Sequence, residues 1–354
     1  MIENVCQVGP ALFVQGGISS VLLSYKKLFG LKDGNFLATY NGSFSRSMPL
    51  VIKTCLSILF KANKNVALYE LHTASYGSFW RMFFVSLAVR LRGKKYAPHI
   101  HGSVFDQFCT NASFFGKKAI RSYFRHASKI IILSSEMEAF LRSFDSKLNN
   151  FATVPNPGES IASQAVDLSQ HSEPVKVVFS GRFGDRKGVL DLVKAFDAAV
   201  FEVPVELYLF GDGEVERVKA AVAQSKKKDL IHVSGWLQHD EYIKRLPEFD
   251  LLVLPSYAER FSMSLVEALG MGLPVISTFV GGTAEVVEDG VCGLLCNPGD
   301  IQAIAKALEK IVNNKELRMQ MGLAGWNRAR SNFSPDVVLN KLENIYKDIV
   351  RSAV

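Results

Sequence analysis

Two glutamates, Glu259 and Glu267, lie on either side of the start of a predicted helix. A buried strand ends near Pro255, a loop carries Glu259, and the helix begins near Ser262. The free N–H groups and positive dipole end of a helix suit a diphosphate, to which Ser262 and Ser264 add hydroxyl donors. Carboxylates accept pairs of hydroxyls, so the layout suits a diphosphate with a sugar at each end. Taken alone, the spacing equally allows a solvated loop residue and a charge on a helix face.

A second segment of interest is residues 180–188, with the sequence SGRFGDRKG, between a predicted strand and a predicted helix. Small residues allow the backbone to approach a ligand closely. Arg182 and Lys187 place two cations at the carboxyl end of the strand, and each charge-assisted bond to phosphate is worth about 1.5–3 kcal/mol. The segment predicts a phosphate site, with a solvated basic turn as the alternative. A glycine pair, Gly281-Gly282, before another helix is a weaker signal of the same kind.

Positive charge held in place before reaction stabilises a diphosphate that departs as an anion. A metal ion held by an Asp-x-Asp pair can do the same. No such pair occurs in the sequence, and the nearest one, Asp212-Gly-Glu214, falls in a predicted turn. We therefore expect no metal and no other cofactor.

In the amino half, His101 ends a predicted strand and precedes Gly102-Ser103. A lone histidine is more often structural than catalytic. The glycine pair Gly16-Gly17 follows the first strand, but with Gly9 it does not form the Gly-x-Gly-x-x-Gly pattern of a nicotinamide dehydrogenase. That class of enzyme is excluded.

A cluster of phenylalanines between Phe105 and Phe115 precedes a basic helical segment. Its cations are Lys117, Lys118, Arg121 and Arg125. Positions 117, 121 and 125 share one helix face, and aromatic groups beside such a stripe suit an anionic membrane surface. The stretch from Trp80 to Tyr96 is similarly apolar and basic. Core helices with solvated basic faces are the alternative.

Charge is divided unevenly along the 354 residues. Residues 1–150 contain 19 Lys and Arg against 7 Asp and Glu, a net charge of +12, whereas residues 151–354 contain 22 against 27, a net charge of −5. Two domains with different partners are indicated, the basic one facing something anionic. No nucleic-acid-binding module is recognisable, so we expect no nucleic acid partner.

Apolar runs alternate with helical stretches throughout the carboxy half, which is typical of a parallel, doubly wound sheet. The runs are Val175 to Phe183, Val205 to Phe210, Ile231 to Trp236, Leu251 to Pro255 and Val275 to Val280. The amino half shows the same pattern, and a Pro- and Gly-containing stretch after Pro155 has linker composition. We predict an α/β chain of two Rossmann-like domains, residues 1–160 and 172–334, with a helix at about 335–354 packing near the first.

Five scattered cysteines suggest neither a disulfide framework nor a zinc ligand set. The amino terminus lacks a basic signal region, and no apolar run reaches the ~18 residues of a membrane span. The sequence therefore predicts a cytoplasmic protein, peripheral on the inner face of the cytoplasmic membrane.

Taken in order, the motifs resemble the donor domain of the retaining glycosyltransferases of family 4. They are Gly-Arg-x4-Lys-Gly at 181–188, Gly-Asp-Gly at 211–213, Glu-x7-Glu at 259–267, Gly-x-Pro-Val-Ile at 272–276 and Gly-Gly-x2-Glu at 281–285. The amino half matches more loosely, through Gly16-Gly17 and His101-Gly102. The resemblance implies a GT-B fold, in which two such domains face each other across a cleft, the donor nucleotide in the carboxy domain and the acceptor in the amino domain.

The resemblance also implies roles for residues. Arg182 and Lys187 would hold the diphosphate, Glu267 the ribose, and Glu259 would lie beside the transferred sugar. The remaining donor-binding residues would be Gly16, Gly17, Trp236, Leu237, Phe261, Ser262, Met263 and Ser264, with Trp236 and Leu237 at the base. His101, Glu259, Arg182 and Lys187 would be catalytic. Ser262 replaces the family's usual glycine; a serine can still cap a helix and offer its N–H, so we expect altered contacts to the sugar and no loss of activity.

The expected activity is front-face, retaining transfer of a hexosyl or N-acetylhexosaminyl group without a metal. UDP-sugars are the favoured donors and GDP-mannose the next. The expected acceptors are lipid-linked sugars or growing polysaccharide, as in lipopolysaccharide or surface-polysaccharide synthesis, with an anionic membrane surface as partner. Two alternatives stay open: a sugar-nucleotide epimerase or hydrolase of the same fold, and a catalytically silent binding subunit.

Overall fold

The computed structural model describes residues 2–14, 16–43, 47–61 and 66–351. The chain forms two compact units. Unit 1 consists of the chain up to Pro157 together with the residues from Pro335 onward, and unit 2 is Gly158–Ser334. Each unit is an α/β body built on one sheet of six parallel strands, which confirms the predicted fold class.

Unit 1 has the strand order β2-β1-β3-β4-β5-β6. Its strands are β1 (Val5–Pro10), β2 (Phe36–Tyr40), β3 (Leu68–Thr73), β4 (Lys95–Ile100), β5 (Ile130–Ile132) and β6 (Phe151–Thr153). Its helices are α1 (Gly17–Leu28), α2 (Ser47–Leu56), α3 (Gly77–Leu91), α4 (Phe105–Asn111), α5 (Phe114–Arg125), α6 (Ser135–Phe144) and, after unit 2, α14 (Pro335–Arg351). The described helices include none that is both long enough and apolar enough to cross a membrane.

Both faces of the unit 1 sheet are buried, as parallel sheets require. One face packs against α1 and α14, where Tyr25 meets Val338, Leu342 and Ile349. The other face packs against helices that include α3 and α5, with Phe79 and Tyr123 among its fully buried rings. Helix α14 therefore completes the core of a unit whose other elements all precede unit 2.

Unit 2 has the strand order β9-β8-β7-β10-β11-β12. Its strands are β7 (Val175–Ser180), β8 (Val205–Phe210), β9 (Ile231–Ser234), β10 (Leu251–Leu254), β11 (Val275–Thr278) and β12 (Gly293–Cys296). Its helices are α7 (Val189–Ala198), α8 (Val215–Ala223), α9 (His239–Arg245), α10 (Met263–Met271), α11 (Thr283–Val286), α12 (Ile301–Val312) and α13 (Lys315–Phe333). The order reverses between β7 and β10, and ligands of open α/β sheets bind at such a switch point.

The stretch that we predict as a linker is partly incorporated into unit 2. The backbone N–H of Gly158 donates to Phe333, that of Ala162 to Gly270 and that of Val166 to Met271. These hydrogen bonds attach residues 158–166 to α10 and α13. The unit boundary therefore falls at Pro157, earlier than the predicted start of the second domain at residue 172.

Candidate functional site

The loops that follow β7 and β10 meet at the switch point of unit 2. Gly188 has φ 68°, and a Cβ there would lie 2.1 Å from the carbonyl oxygen of Pro255. Gly281 has φ 53°, and a Cβ there would lie 1.7 Å from the carbonyl oxygen of Glu259. Both positions therefore require glycine. From the sequence, we expect these glycines to leave space for a ligand. In the structure, the backbone of a neighbouring loop lies against them instead.

Lys187 and Glu259 form an ion pair between these two loops. Both side chains are largely buried, and the Glu259 oxygen that faces the Lys187 ammonium also accepts a hydrogen bond of 2.8 Å from the Ser256 hydroxyl. One of the two predicted cations and one of the two predicted carboxylates are thus adjacent. Ser256 is a site residue that sequence reasoning missed, although its position directly after Pro255 could have indicated it.

Arg182 is exposed to solvent one residue beyond Gly181 at the end of β7. Its side chain runs beside Gly213, where a Cβ would lie 3.1 Å from the Arg182 Cγ. The glycine of the predicted Gly-Asp-Gly motif therefore leaves room for this guanidinium. Arg182 and Lys187 lie on the same loop, but within the described part of the chain only Lys187 forms an ion pair.

Helix α10 begins at the predicted position. Phe261 is buried edge-on against Phe333, with ring centroids 5.6 Å apart, and Ser262 is the N-cap residue. Met263 is the first helical residue, and the Ser264 hydroxyl donates to the Ser180 carbonyl over 3.4 Å, which links the helix start to the end of β7.

The side chain of Ser262 does not cap α10. Its hydroxyl makes no capping hydrogen bond, and the residue is buried. Among the described residues this hydroxyl has no hydrogen-bond partner. A buried hydroxyl without a partner is costly, and a ligand at the helix start would relieve that cost.

Glu267 lies one turn into α10 and is buried. Burial, followed by the nearby Glu159, raises its pKa to about 7. The His239 Nδ1 atom, at the start of α9, lies 3.7 Å from its Oε1. The loop between β9 and α9 carries exposed Trp236 and half-buried Leu237, so the predicted base-contacting residues and the predicted ribose carboxylate lie at neighbouring elements.

The site residues predicted in the amino half lie in unit 1. Gly16 is the N-cap residue of α1 and Gly17 its first residue, both open to solvent. His101 follows β4 and is half-buried, and its Nε2 lies 2.9 Å from Nδ1 of His72. Burial lowers the pKa of the His101 imidazole well below its ordinary value, so the ring is neutral at pH 7. His72 was not predicted, because a histidine inside a strand gives no motif.

The predicted basic stripe lies on α5, but its cations differ in their surroundings. Arg125 forms two hydrogen bonds with Asp145, of 2.6 and 2.9 Å, and the Arg121 guanidinium lies over the Phe144 ring. Lys117 is half-buried and Lys118 exposed. Two of the four cations are therefore held by neighbouring side chains within unit 1, which the spacing of the stripe did not reveal.

Comparisons with known proteins agree with this architecture. Residues 163–328 match the family model described as Glycosyl transferases group 1. N-acetyl-alpha-D-glucosaminyl L-malate synthase from Bacillus anthracis is 32% identical over 51% of this chain and 47% of its own length. A capsular polysaccharide biosynthesis glycosyltransferase from Staphylococcus aureus is 29% identical over 49% and 46%. The matched region thus spans about half the length of these curated relatives.

Among solved structures, an Anabaena protein crystallised with UDP superposes with a TM-score of 0.77 at 17% identity, over 97% of this chain and 99% of its own. At that identity the likeness shows the fold, which is GT-B, as the sequence predicts. The finer assignment to family 4 stays a prediction. The match to the glycosyl transferases of group 1 therefore covers the region 163–328, which includes the Lys187–Glu259 pair and α10.

Proposed function

We propose that this chain is a retaining, metal-independent glycosyltransferase that transfers a hexosyl or N-acetylhexosaminyl group from a nucleotide diphosphate sugar. The observation that carries the proposal is the Lys187–Glu259 pair at the switch point, beside the start of α10. It offers a cation to the leaving diphosphate and a carboxylate to sugar hydroxyls. Glu267, one turn further along α10, would accept the ribose hydroxyls.

UDP-sugars are the proposed donors and GDP-mannose the next choice. The structurally similar Anabaena protein with UDP and the N-acetyl-alpha-D-glucosaminyl L-malate synthase among the similar sequences support this choice. Retention would follow front-face substitution, in which the leaving phosphate helps to remove the acceptor proton. The proposed acceptor is lipid-linked sugar or growing polysaccharide, supported by the capsular relative.

The test is a panel of sugar nucleotides screened first for thermal stabilisation and then for nucleotide release. Release that depends on a glycan acceptor, with an anomerically retained product by NMR and undiminished rates in EDTA, is the expected result. Loss of activity in EDTA that magnesium or manganese restores would contradict metal independence. Release or epimerisation without an acceptor would indicate an epimerase or hydrolase, and donor binding without turnover would indicate a silent subunit.

Ser262 is proposed to contact the donor sugar, since its buried hydroxyl lacks a partner among the described residues. A Ser262→Gly variant removes the hydroxyl and keeps the backbone N–H. We expect weaker selection among sugars on the same nucleotide, with nucleotide affinity unchanged. Equal loss of affinity for every sugar nucleotide and for free nucleotide would show that Ser262 only shapes the loop.

The proposed membrane surface extends beyond α5 to an apolar face on α2, the turn after it and α3. This face consists of Met48, Ile52, Leu56, Phe60, Trp80, Phe84 and Leu91, all exposed. Phe60 and Leu91 are 77% and 80% exposed. The segments 47–61 and 77–95 contain seven Lys and Arg and no Asp or Glu. An apolar face with cations and no acids fits an anionic lipid surface, so we propose peripheral attachment to the inner face of the cytoplasmic membrane.

Vesicle flotation tests this attachment. The protein should bind vesicles containing anionic lipid at low salt, release as salt rises and ignore neutral vesicles, because each cation near the surface contributes about 1 kcal/mol. A Phe60→Ser, Leu91→Ser variant should bind more weakly, whereas Val200→Ser, which removes an exposed apolar residue of unit 2, should not. Neutralising Lys117 and Lys118 should weaken binding more than neutralising Arg121 and Arg125. Wild-type protein that fails to float would contradict the membrane proposal alone.

A further inference from the structure

Polar side chains occupy one buried face of the unit 1 sheet. Gln7 pairs with Glu70 in register, and His72 pairs with His99, so the four side chains point to the same side of three adjacent strands. All four are fully buried. His101 follows His99 by two residues and continues the same face at the carboxyl end of the sheet.

These side chains are connected in a definite order. Gln7 Oε1 lies 2.6 Å from His72 Nε2, and His72 Nδ1 lies 2.9 Å from His101 Nε2. In parallel, Glu70 Oε1 lies 2.7 Å from His99 Nδ1. The His101 ring lies against both other rings, with centroids 4.2 Å from that of His99 and 5.1 Å from that of His72. The position of His101 is therefore set by two buried imidazoles.

The hydrogen bonds also determine where the protons lie. Burial lowers the pKa of His72 well below its ordinary value, so the ring is neutral and has one N–H and one lone pair. Because Gln7 Oε1 is an acceptor, His72 donates from Nε2 and must accept at Nδ1. His101 then donates from Nε2, and its own lone pair is left at Nδ1. The amide of Gln7 thus decides the tautomer of a ring two hydrogen bonds away.

We propose that Gln7 and His72 are positioning residues that fix His101 as the Nε2–H tautomer, so that the ring offers its substrate a hydrogen-bond acceptor at Nδ1. The matching ligand group is one that donates a hydrogen bond, a sugar hydroxyl or an acetamido N–H. A phosphate oxygen or a carbonyl does not match. The inference rests on the proposed function and on the catalytic role that the resemblance implies for His101.

The same three histidines bring one ring nitrogen each to within 4.8 Å of the others, which is also a pattern for a metal ion. Two imidazole nitrogens bound at ~2.0–2.1 Å to one tetrahedral ion are separated by roughly 3.3 Å. The observed 2.9 Å between His72 and His101 instead matches a shared hydrogen. The geometry therefore favours the hydrogen-bonded chain.

Histidine ¹⁵N NMR of the full chain tests the tautomer directly, with His101→Asn used to assign the signal. We expect protonated Nε2 and unprotonated Nδ1 in the wild type. Gln7→Glu should keep this state because a carboxylate can only accept, whereas Gln7→Leu should give a mixture of tautomers. Wild-type His101 protonated at Nδ1, as a reversed Gln7 amide would require, overturns the proposal. One equivalent of metal in the purified protein overturns it as well.

Turnover provides the second readout. Gln7→Leu should lower kcat by up to ~100-fold with little change in the KM for donor, and Gln7→Glu should restore most of it. Both variants keep His72. The test therefore does not depend on whether a variant that replaces His72 can fold. Wild-type turnover in Gln7→Leu overturns the positioning role. If the protein transfers no sugar at all, the proposed function fails, while the tautomer measurement still decides the role of Gln7 and His72.

Discussion

Units 1 and 2 share a six-stranded parallel sheet, yet they hold their polar side chains in different places. In unit 2 these groups lie on loops beyond the strands, where Lys187 meets Glu259 and glycines bring the loops together. In unit 1 they lie on the sheet itself, buried and hydrogen-bonded from Gln7 to His101. A loop site depends on charge pairs and glycines, whereas a site on a strand depends on the protonation of neutral rings. The site in unit 2 should therefore be disrupted by loss of a charge or of a glycine, and the site in unit 1 by a change in histidine protonation.

The largest expected effect separates the two cations of unit 2. Arg182→Ala and Lys187→Ala should each lower turnover by about 10²–10³, because preorganised charge on the departing diphosphate is lost. Only Lys187→Ala should also lower the free energy of unfolding, by ~3 kcal/mol, since it leaves buried Glu259 without its cation. The measurements are steady-state kinetics and chemical unfolding.

A double variant provides the control for this comparison. Adding Glu259→Gln to Lys187→Ala should restore stability and leave turnover low. Near-normal rates in both single variants would remove the phosphate role. Equal stability of the two single variants would show that the ion pair contributes nothing to the fold.

Acid should weaken unit 1 before unit 2. Burial lowers the pKa of His72, His99 and His101, that of His99 to about 3. A histidine whose folded pKa is depressed contributes stability above its unfolded pKa of ~6.5 and loses about 1.4 kcal/mol per pH unit below it. Glu267, whose folded pKa is raised, changes stability in the opposite direction over pH 4.5 to 7.

Hydrogen exchange followed by mass spectrometry locates the effect. Between pH 7 and 5.5, after correction for intrinsic exchange rates, β3 and β4 should lose protection while β7 and β10 keep theirs. Parallel loss in both units would show that the buried histidines do not control the acid response.

A smaller effect concerns the close contact of loops in unit 2. Gly281→Ala and Gly290→Ala both place a side chain at positive φ, which costs about 1–2 kcal/mol. A Cβ at residue 290 meets nothing within 4 Å, whereas one at residue 281 would strike the Glu259 backbone. Gly281→Ala should therefore cost a further 1–3 kcal/mol or so and weaken nucleotide binding. Matching melting temperatures for the two variants would contradict the contact.

The smallest effect is a proton released on nucleotide binding. Ribose hydroxyls donate to a carboxylate, so binding should lower the raised pKa of Glu267 and release up to about half a proton at pH 7, where Glu267 is about half protonated in the free protein. Calorimetric titration with UDP in buffers of different ionisation enthalpy measures the release. Affinity should rise with pH through this range, and Glu267→Gln should abolish the pH dependence. An unchanged release in that variant would assign the proton elsewhere.

Much of unit 2 is predictable from the sequence, because Lys187, Glu259 and Glu267 stand in short segments beside long apolar runs. Strands β2, β6 and β12 were not predicted. The histidine chain was also missed. Gln7 and His72 lie on β1 and β3 and His101 directly follows β4, so only the sheet register brings them together. The spacing of residues along the sequence does not show which residues are neighbours across a sheet.

Helix α14 has a consequence for the order in which the chain folds. Its Tyr346 hydroxyl contacts Glu70, a partner 276 positions earlier, and its apolar side chains close the core beside α1. A ribosome synthesises unit 2, which is continuous, before residue 335 emerges. Unit 2 can therefore form first, whereas the sheet face of unit 1 that α14 covers stays partly exposed until α14 is synthesised. Long-range closure of this kind slows folding and exposes apolar surface, so nascent unit 1 is the part of the chain that most needs a chaperone.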